Sequence, residues 1–448
     1  MAAPDSGNRS SSPLTALALG LALAGAASMV YYHLALFMPR VRQVRAAGNL
    51  AGGYSFGADF YPIWLTSQEC LRGHCDLYSL EMTHAIQKGL FGRPLDTHIS
   101  TDPLTEYRTF AYPAFTDLLF WPTAKLPFPV VRVVLAPLLA ALTLITVLLW
   151  AQALSWRFSW TWLVLILLLT LCSYPVLEGI YAGQLGLLVG CLLAASILAL
   201  QRGRLLLAGT LLALTTIKPQ MTLLALVYLF VWSMYDWRRR GRFAVGLLST
   251  MLLLAGASLA VWPHWIQSWA RVILAYHRYA EPVLAGEVFG APLGPAAALL
   301  LITLLLIAAL VLAWQHRAAP SKTLEFWLTL SLLLAITTVT LVPGQAVHDH
   351  VILLPGIFLL ARLRPKLSSS WIQRALLLTG IAVLLWPWPA SFLVIVLRPL
   401  LTDQRFYSKA VLGLPLHAAG MFPFLVLGLL ALAFRDTSRG RDQSLTVS

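Results

Sequence analysis

Acids are scarce in this chain: 18 Asp and Glu stand against 32 Lys and Arg in 448 residues, and charged residues of both signs reach only 11%. Soluble domains carry about 25%, so a soluble globular fold is excluded. Cysteine is scarce too, and four of them cannot supply a disulfide framework. There is no Walker loop and no Rossmann glycine-rich turn, which argues against a nucleotide as substrate. No internal repeat stands out, and the short alternating segments of a membrane β-barrel are missing.

What is present is apolar. Hydrophobic residues make up 59% and mean hydropathy is +0.76. Runs of about 18 or more apolar residues recur from end to end, each long enough for a spanning helix. The reading is an all-α polytopic membrane protein of about 10–12 transmembrane helices, at 14–37, 128–152, 158–174, 181–201, 205–217, 219–234, 243–262, 293–314, 324–342, 349–361, 371–396 and 410–434. The pair 205–217 and 219–234 is short for two crossings. The apolar stretch 113–124 is shorter still and must be re-entrant or lie along the surface.

The net charge of +14 could point to nucleic acid. The basic residues instead sit in short clusters between spans: Arg202 and Arg204; Arg238, Arg239, Arg240 and Arg242; Arg317 and Lys322; Arg362, Arg364 and Lys366; Arg435, Arg439 and Arg441. That is the positive-inside pattern, and no polyanionic partner is needed. The tails 1–13 and 435–448 fall on the basic, cytoplasmic side. The apolar stretch Leu14–Phe37 is too long for a signal-peptide core and reads as a retained first span.

The opposite face receives the longest loop, 38–127, ahead of a bundle over 128–434. Its first part, to Tyr112, gathers seven of the acids: Asp59, Glu69, Asp76, Glu81, Asp96, Asp102 and Glu106. From Tyr61 to Lys88 the composition suits surface helices, and 89–112 reads as an irregular loop. Cys70 and Cys75 share this loop and can pair if that side is oxidising; a metal site using His74 is the alternative. Cys172 and Cys191 lie in apolar spans and read as inert packing.

Asp59, in Gly57-Ala58-Asp59-Phe60-Tyr61, follows the first span directly. A carboxylate held beside the lipid can deprotonate an acceptor hydroxyl. Tyr54, Phe60, Tyr61 and Trp64 offer aromatic faces for a sugar. The plainer alternative is a solvated loop aspartate beside interfacial aromatics. Lys218 interrupts an apolar segment at a cost of a few kcal/mol unless it meets water or an anion, and Pro219 frees backbone groups there. It either clamps a phosphate or snorkels to the interface. His348, Asp349 and His350 open a late span on the face of Asp59, as a polar helix start or as groups that bind an anion or hydroxyl, with Asp349 setting a tautomer. Joint metal ligation by the two histidines needs a non-helical backbone. Gln184 can bond a sugar hydroxyl or a neighbouring helix. Arg271, His277, Arg278 and Glu281 share the loop after Trp262-Pro263, where Arg278 is the phosphate candidate. Trp386 and Trp388 read as an interfacial belt.

These residues resemble glycosyltransferase family 87, polyprenyl-phosphate-mannose-dependent mannosyltransferases of the GT-C fold. The resemblance starts with Gly57-Ala58-Asp59-Phe60-Tyr61, Gly73 and Asp76-Leu77-Tyr78. Tyr112-Pro113 matches a Tyr-Pro-Pro element in which Ala114 replaces the second proline. Gly183-Gln184, Ala208-Gly209 and Lys218-Pro219 resemble the central block, and His348-Asp349-His350 the terminal histidine element. The resemblance implies a GT-C bundle with a long first extracytoplasmic loop. It further implies inverting single displacement on a lipid-phosphate sugar, with Asp59 as base and His348 or His350 in the active site. Lys218, Tyr61, Gln184 and Arg278 are the expected substrate contacts.

The expected function is therefore a membrane glycosyltransferase at the plasma membrane. It moves a sugar, mannose by resemblance, from a polyprenyl-phosphate donor to a glycan or glycolipid hydroxyl, with no metal or cofactor. The alternative class is a transporter or flippase of a lipid-linked sugar, which would place charges at the bilayer midplane and show repeat symmetry. A structural subunit is the third reading.

Overall fold

A computed structural model describes residues 13–73, 76–96, 98, 102–276, 282–365, 367 and 370–439. Among them every regular element is a helix, and an isolated bridge joins Val283 and Pro343. Lipid offers no partner for backbone N–H and C=O groups, so long apolar sequences satisfy them within helices.

Four helices are long and apolar enough to cross a membrane: Thr15–Ala46, Phe128–Ala153, Trp237–Val261 and Pro295–Gln315. Two bent pairs add two more spans if each counts once. Trp160–Leu171 joins Tyr174–Ala182 at 53°, and Trp371–Leu385 joins Pro387–Leu397 at 47°. Shorter apolar helices, such as Gly186–Gln201 and Leu324–Thr340, lie among them.

Burial separates the two environments of the bundle. Along Pro295–Gln315, Leu299, Leu300, Leu304, Ile307 and Leu310 are all at least half exposed, a stripe suited to lipid. In Leu324–Thr340 every residue from Phe326 onward is buried, so this helix is the axis of the bundle. Small residues let neighbours approach. A Cβ on Gly209 would fall 2.1 Å from the Phe243 carbonyl oxygen, and one on Gly246 would fall 2.1 Å from that of Leu206. Gly209, read above as part of a family element, has this packing as its physical reason.

The first helix does not stop at Phe37. It passes through a π-helical stretch, Tyr32–Phe37, into Met38–Ala46 and carries its basic end beyond the apolar run. The loop then forms helices Tyr61–Leu71 and Leu80–Phe91, an irregular stretch, and a short helix Ala114–Phe120 followed by a 3-10 turn Trp121–Lys125. Cys70 is disulfide-bonded; Cys75 and His74 lie outside the described residues. Cys172 and Cys191 are free thiols, and Cys191 is buried.

Two sequence expectations change here. Trp388 is buried and packs against Gly25 of the first helix, so it is not part of an interfacial belt. Its indole N–H donates to the Cys172 carbonyl, which the bend after Leu171 leaves without a helical partner. The stretch from Val347 to Leu353 is a 3-10 helix, and the α-helix begins only at Leu354.

At the basic end, Arg240 donates to the carbonyls of Trp232, Arg317 and Ala318 and lies 4.3 Å over the Trp232 ring. It therefore ties three chain segments together.

Candidate functional site

At the other end of the bundle, four interruptions of helical structure meet. The first loop docks on the turn after Tyr174–Ala182. Gly57 N–H donates to the Tyr181 carbonyl at 2.8 Å, and Asp59 N–H donates to the Ala182 carbonyl at 2.9 Å. Both chains turn at glycines in the left-handed region, Gly57 at φ 81° and Gly183 at φ 76°. An added Cβ on Gly183 would lie 3.3 Å from the Gly57 Cα and 3.2 Å from the Phe60 Cβ. Glycine at 183 thus serves conformation and close approach together.

The side chains form one connected chain from this contact. Gln184 Nε2 donates to Asp59 Oδ2, and Gln184 Oε1 accepts from Lys218 Nζ at 3.1 Å. Lys218 also donates to Asp349 Oδ1 at 2.7 Å, and His348 Nε2 lies 3.4 Å from the same ammonium. Lys218 is placed by the helix break at Pro219, where two short 3-10 turns replace the α-helix. The 3-10 helix at Val347–Leu353 turns His348 and Asp349 to the same ammonium. Gly186 leaves room for Asp349, since a Cβ there would come 2.2 Å from its Oδ1.

A second cation completes the arrangement around Asp59. Arg108 Nη1 donates to Asp59 Oδ1 at 2.9 Å. Each carboxylate oxygen of Asp59 thus accepts one bond and keeps a further lone pair. Nearby, Tyr54 O–H donates to Glu106 at 2.6 Å, and Arg45 pairs with Glu106 at 3.0 Å. Burial and that carboxylate push the Tyr54 phenol well above its ordinary range.

The expected site residues do not all come together. Asp59, Gln184, Lys218 and His348 converge. His350 is buried in the same 3-10 helix, but its Nε2 makes no hydrogen bond among the described residues. Tyr61 lies apart: its ring packs on Phe128 and Trp64, with centroids at 4.9 and 5.5 Å, and its hydroxyl abuts Gly89. Phe60 packs on Phe120, and the Trp64 indole N–H donates to the Leu126 carbonyl. The aromatics read as a sugar wall thus hold the loop together. Arg278 lies outside the described residues.

Arg108 was not foreseen, and neither was the pairing of Asp349 with Lys218, which comes in addition to a 3.5 Å approach of His348 Nε2 to Asp349 Oδ1. Arg108 carries no motif, only a position in a loop already rich in charge. His33, fully buried in the π-helical stretch, lies 3.5 Å from Glu178 on the Tyr174–Ala182 helix. No groups of three or more His, Cys, Asp or Glu that could hold a metal occur among the described residues.

Within the loop, Asp117 is buried beneath this surface. Thr66 and Ser67 hydroxyls donate to its Oδ1 at 2.9 and 2.7 Å, while burial pushes its carboxyl up to about 6.

Comparison with known proteins gives one match. The family model described as glycosyltransferase family 87 covers residues 110–343. Lys218 and Gln184 fall within that stretch, and Asp59 and His348 fall outside it. No curated protein and no solved structure matches the chain.

Proposed function

Because the chain belongs to glycosyltransferase family 87 and is an all-α polytopic membrane transferase, we propose that it moves mannose from a polyprenyl-phosphate carrier to a glycan or glycolipid hydroxyl. The transfer takes place at the extracytoplasmic face of the plasma membrane. The observation that carries this reading is the hydrogen-bonded chain Asp59–Gln184–Lys218–Asp349, which joins residues from four separate segments at one end of the bundle.

In this reading Asp59 is the general base. Its ion pair with Arg108 at 2.9 Å fixes the carboxylate in place, and its remaining lone pairs can accept the acceptor O–H. The acceptor oxygen forms its bond to the anomeric carbon as the bond from that carbon to the phosphate oxygen breaks. The proton passes to Asp59, and the polyprenyl phosphate leaves as an anion. One displacement inverts the anomeric configuration. The leaving group needs charge stabilisation more than a proton. Lys218 supplies positive charge beside the base, and the Nδ1 of His348, without a partner among the described residues, is a further group for the phosphate. No metal or cofactor enters these steps.

The test compares wild type with Asp59→Asn in lipid, supplied with radiolabelled polyprenyl-phosphate-mannose and a membrane glycolipid extract. Transfer by wild type with a loss of about 10²-fold or more in the variant is expected for removal of a general base. Equal transfer by both removes Asp59 from the mechanism. If wild type transfers only from another sugar in a panel of polyprenyl-phosphate donors, mannose is wrong. If it uses none of them, the lipid-phosphate donor is wrong.

A further inference from the structure

A cavity of about 530 Å³ opens beside the site and takes no part in the mechanism above. Its size falls within the about 300–1,000 Å³ of small-molecule sites. Three elements build it. One is the start of the Leu80–Phe91 helix with Asp76 and Tyr78 just before it. The second is the stretch holding Tyr107 and Thr109, and the third is the Trp265–Tyr276 helix. From that helix the lining residues are Ser268, Arg271, Val272 and Ala275, spaced as one face of an α-helix.

The cavity is anchored to the candidate base through a single stretch of backbone. Tyr107 is extended, and successive side chains of extended chain point to opposite sides. Tyr107 and Thr109 face the cavity, while Arg108 between them reaches the other way to Asp59 at 2.9 Å. The walls are fixed to the same stretch. Tyr78 O–H donates to the Tyr112 carbonyl at 2.9 Å, Trp269 N–H to the Ala111 carbonyl at 3.0 Å, and the Thr83 and Thr109 hydroxyls meet at 3.0 Å. The cavity is therefore a built feature, fixed to the stretch that carries Arg108.

Its chemistry is that of a polyol site. Two phenol rings, Tyr78 and Tyr107, supply apolar faces with polar edges. Asp76 and Arg271 line the same space, and among the described residues neither is bonded to the other. Among the described residues one oxygen of Asp76 accepts from the Tyr78 N–H at 3.2 Å and the second has no partner, and Arg271 spends one nitrogen on Ser268 at 3.1 Å. A carboxylate and a guanidinium that remain available across a cavity edged with hydroxyls can bind neighbouring hydroxyl groups of a sugar. An anion would meet Asp76, and an alkyl chain would find no use for either of the two exposed charges.

We propose that this cavity is a carbohydrate-binding subsite that holds the distal sugars of an oligosaccharide acceptor, so that the preferred acceptor carries more than one sugar. The proposal rests on the transferase reading for the word acceptor, and its binding chemistry stands apart from it.

The test uses the full-length protein in nanodiscs, with saturation-transfer NMR on mannobiose and mannotriose as probes and free mannose as the short control. Oligosaccharide binding should weaken about tenfold or more in Arg271→Gln and in Asp76→Asn, the loss expected for a charge-assisted hydrogen bond. Asp59→Asn should bind as wild type does. Asn at 76 keeps an acceptor for the Tyr78 N–H, so the turn survives. In transfer assays the cavity variants should raise KM for an oligosaccharide acceptor and leave kcat and the KM of a one-sugar acceptor unchanged. Oligosaccharide binding that is absent, or indifferent to both cavity variants, overturns the subsite even where transfer is intact. Binding that depends on the cavity in a protein that transfers nothing keeps the subsite and rejects the transferase mechanism.

Discussion

Lys218 Nζ sits 2.7 Å from Asp349 Oδ1, and the carboxylate is completely shut off from solvent. A charge buried this way is tolerable only with its partner present. The pair also holds the far end of the Gln184 amide, so it acts on Asp59 at one remove.

Removing one member should therefore cost more than removing both. Lys218→Met alone is expected to destabilise the protein by about 3–5 kcal/mol, by stranding a buried carboxylate. Lys218→Met with Asp349→Leu should recover much of that loss in a detergent melting experiment while transfer stays low. A double variant as unstable as the single one would show that the pair is not an isolated electrostatic unit.

Gln184 presents its two amide ends to opposite charges. Gln184→Glu keeps the shape and turns the donor facing Asp59 into an acceptor, placing two carboxylates together. Transfer is expected to fall by about tenfold or more, matching the loss of a hydrogen bond to a charged group. The fall should appear in kcat with the melting temperature close to wild type. Unchanged kcat would detach the amide from catalysis.

Gly186→Ala tests the fit behind Asp349. The new methyl carbon would come 2.2 Å from Asp349 Oδ1, so the carboxylate must move. An overpacking cost of about 1–3 kcal/mol is expected, with reduced transfer. Gly256→Ala, where an added Cβ meets nothing within 4 Å, is the control and should leave both readouts unchanged.

Asp117 predicts a pH dependence of stability rather than of activity. Its carboxyl is raised from 3.8 to about 6, so the folded protein keeps a proton that the unfolded chain releases. That contribution is full below about pH 4, is lost as pH rises through 6, and totals at most about 3 kcal/mol. Asp117→Asn should gain on wild type between pH 4 and 7 in thermal melts. Parallel curves across that range would contradict the assignment.

Much of the site could be read from the chain because its residues break local rules. Lys218 interrupts an apolar run, Gly183-Gln184 interrupts another, and Asp59 opens the acidic loop beside the first span. His348 stands at the polar opening of a late apolar run. Arg108 breaks no rule, being one cation in a stretch without periodicity, and only tertiary contact gives it a role. Tyr61 and Trp64 show the converse: rings next to an aspartate look like a sugar platform, and the Tyr61–Leu71 helix packs them on each other and on Phe128. The all-α membrane class followed from composition. The bends at 171–174 and 385–387 did not, because an apolar run gives no sign of where a span changes direction.

The two main-chain bonds from Gly57 and Asp59 to the carbonyls of Tyr181 and Ala182 have a consequence for protein engineering. The first loop is no interchangeable cassette. A hybrid that takes this loop from one homologue and the bundle from another would join a base to a turn that had never carried it. Any exchange meant to carry specificity across has to move the 57–60 and 181–184 segments as a matched pair.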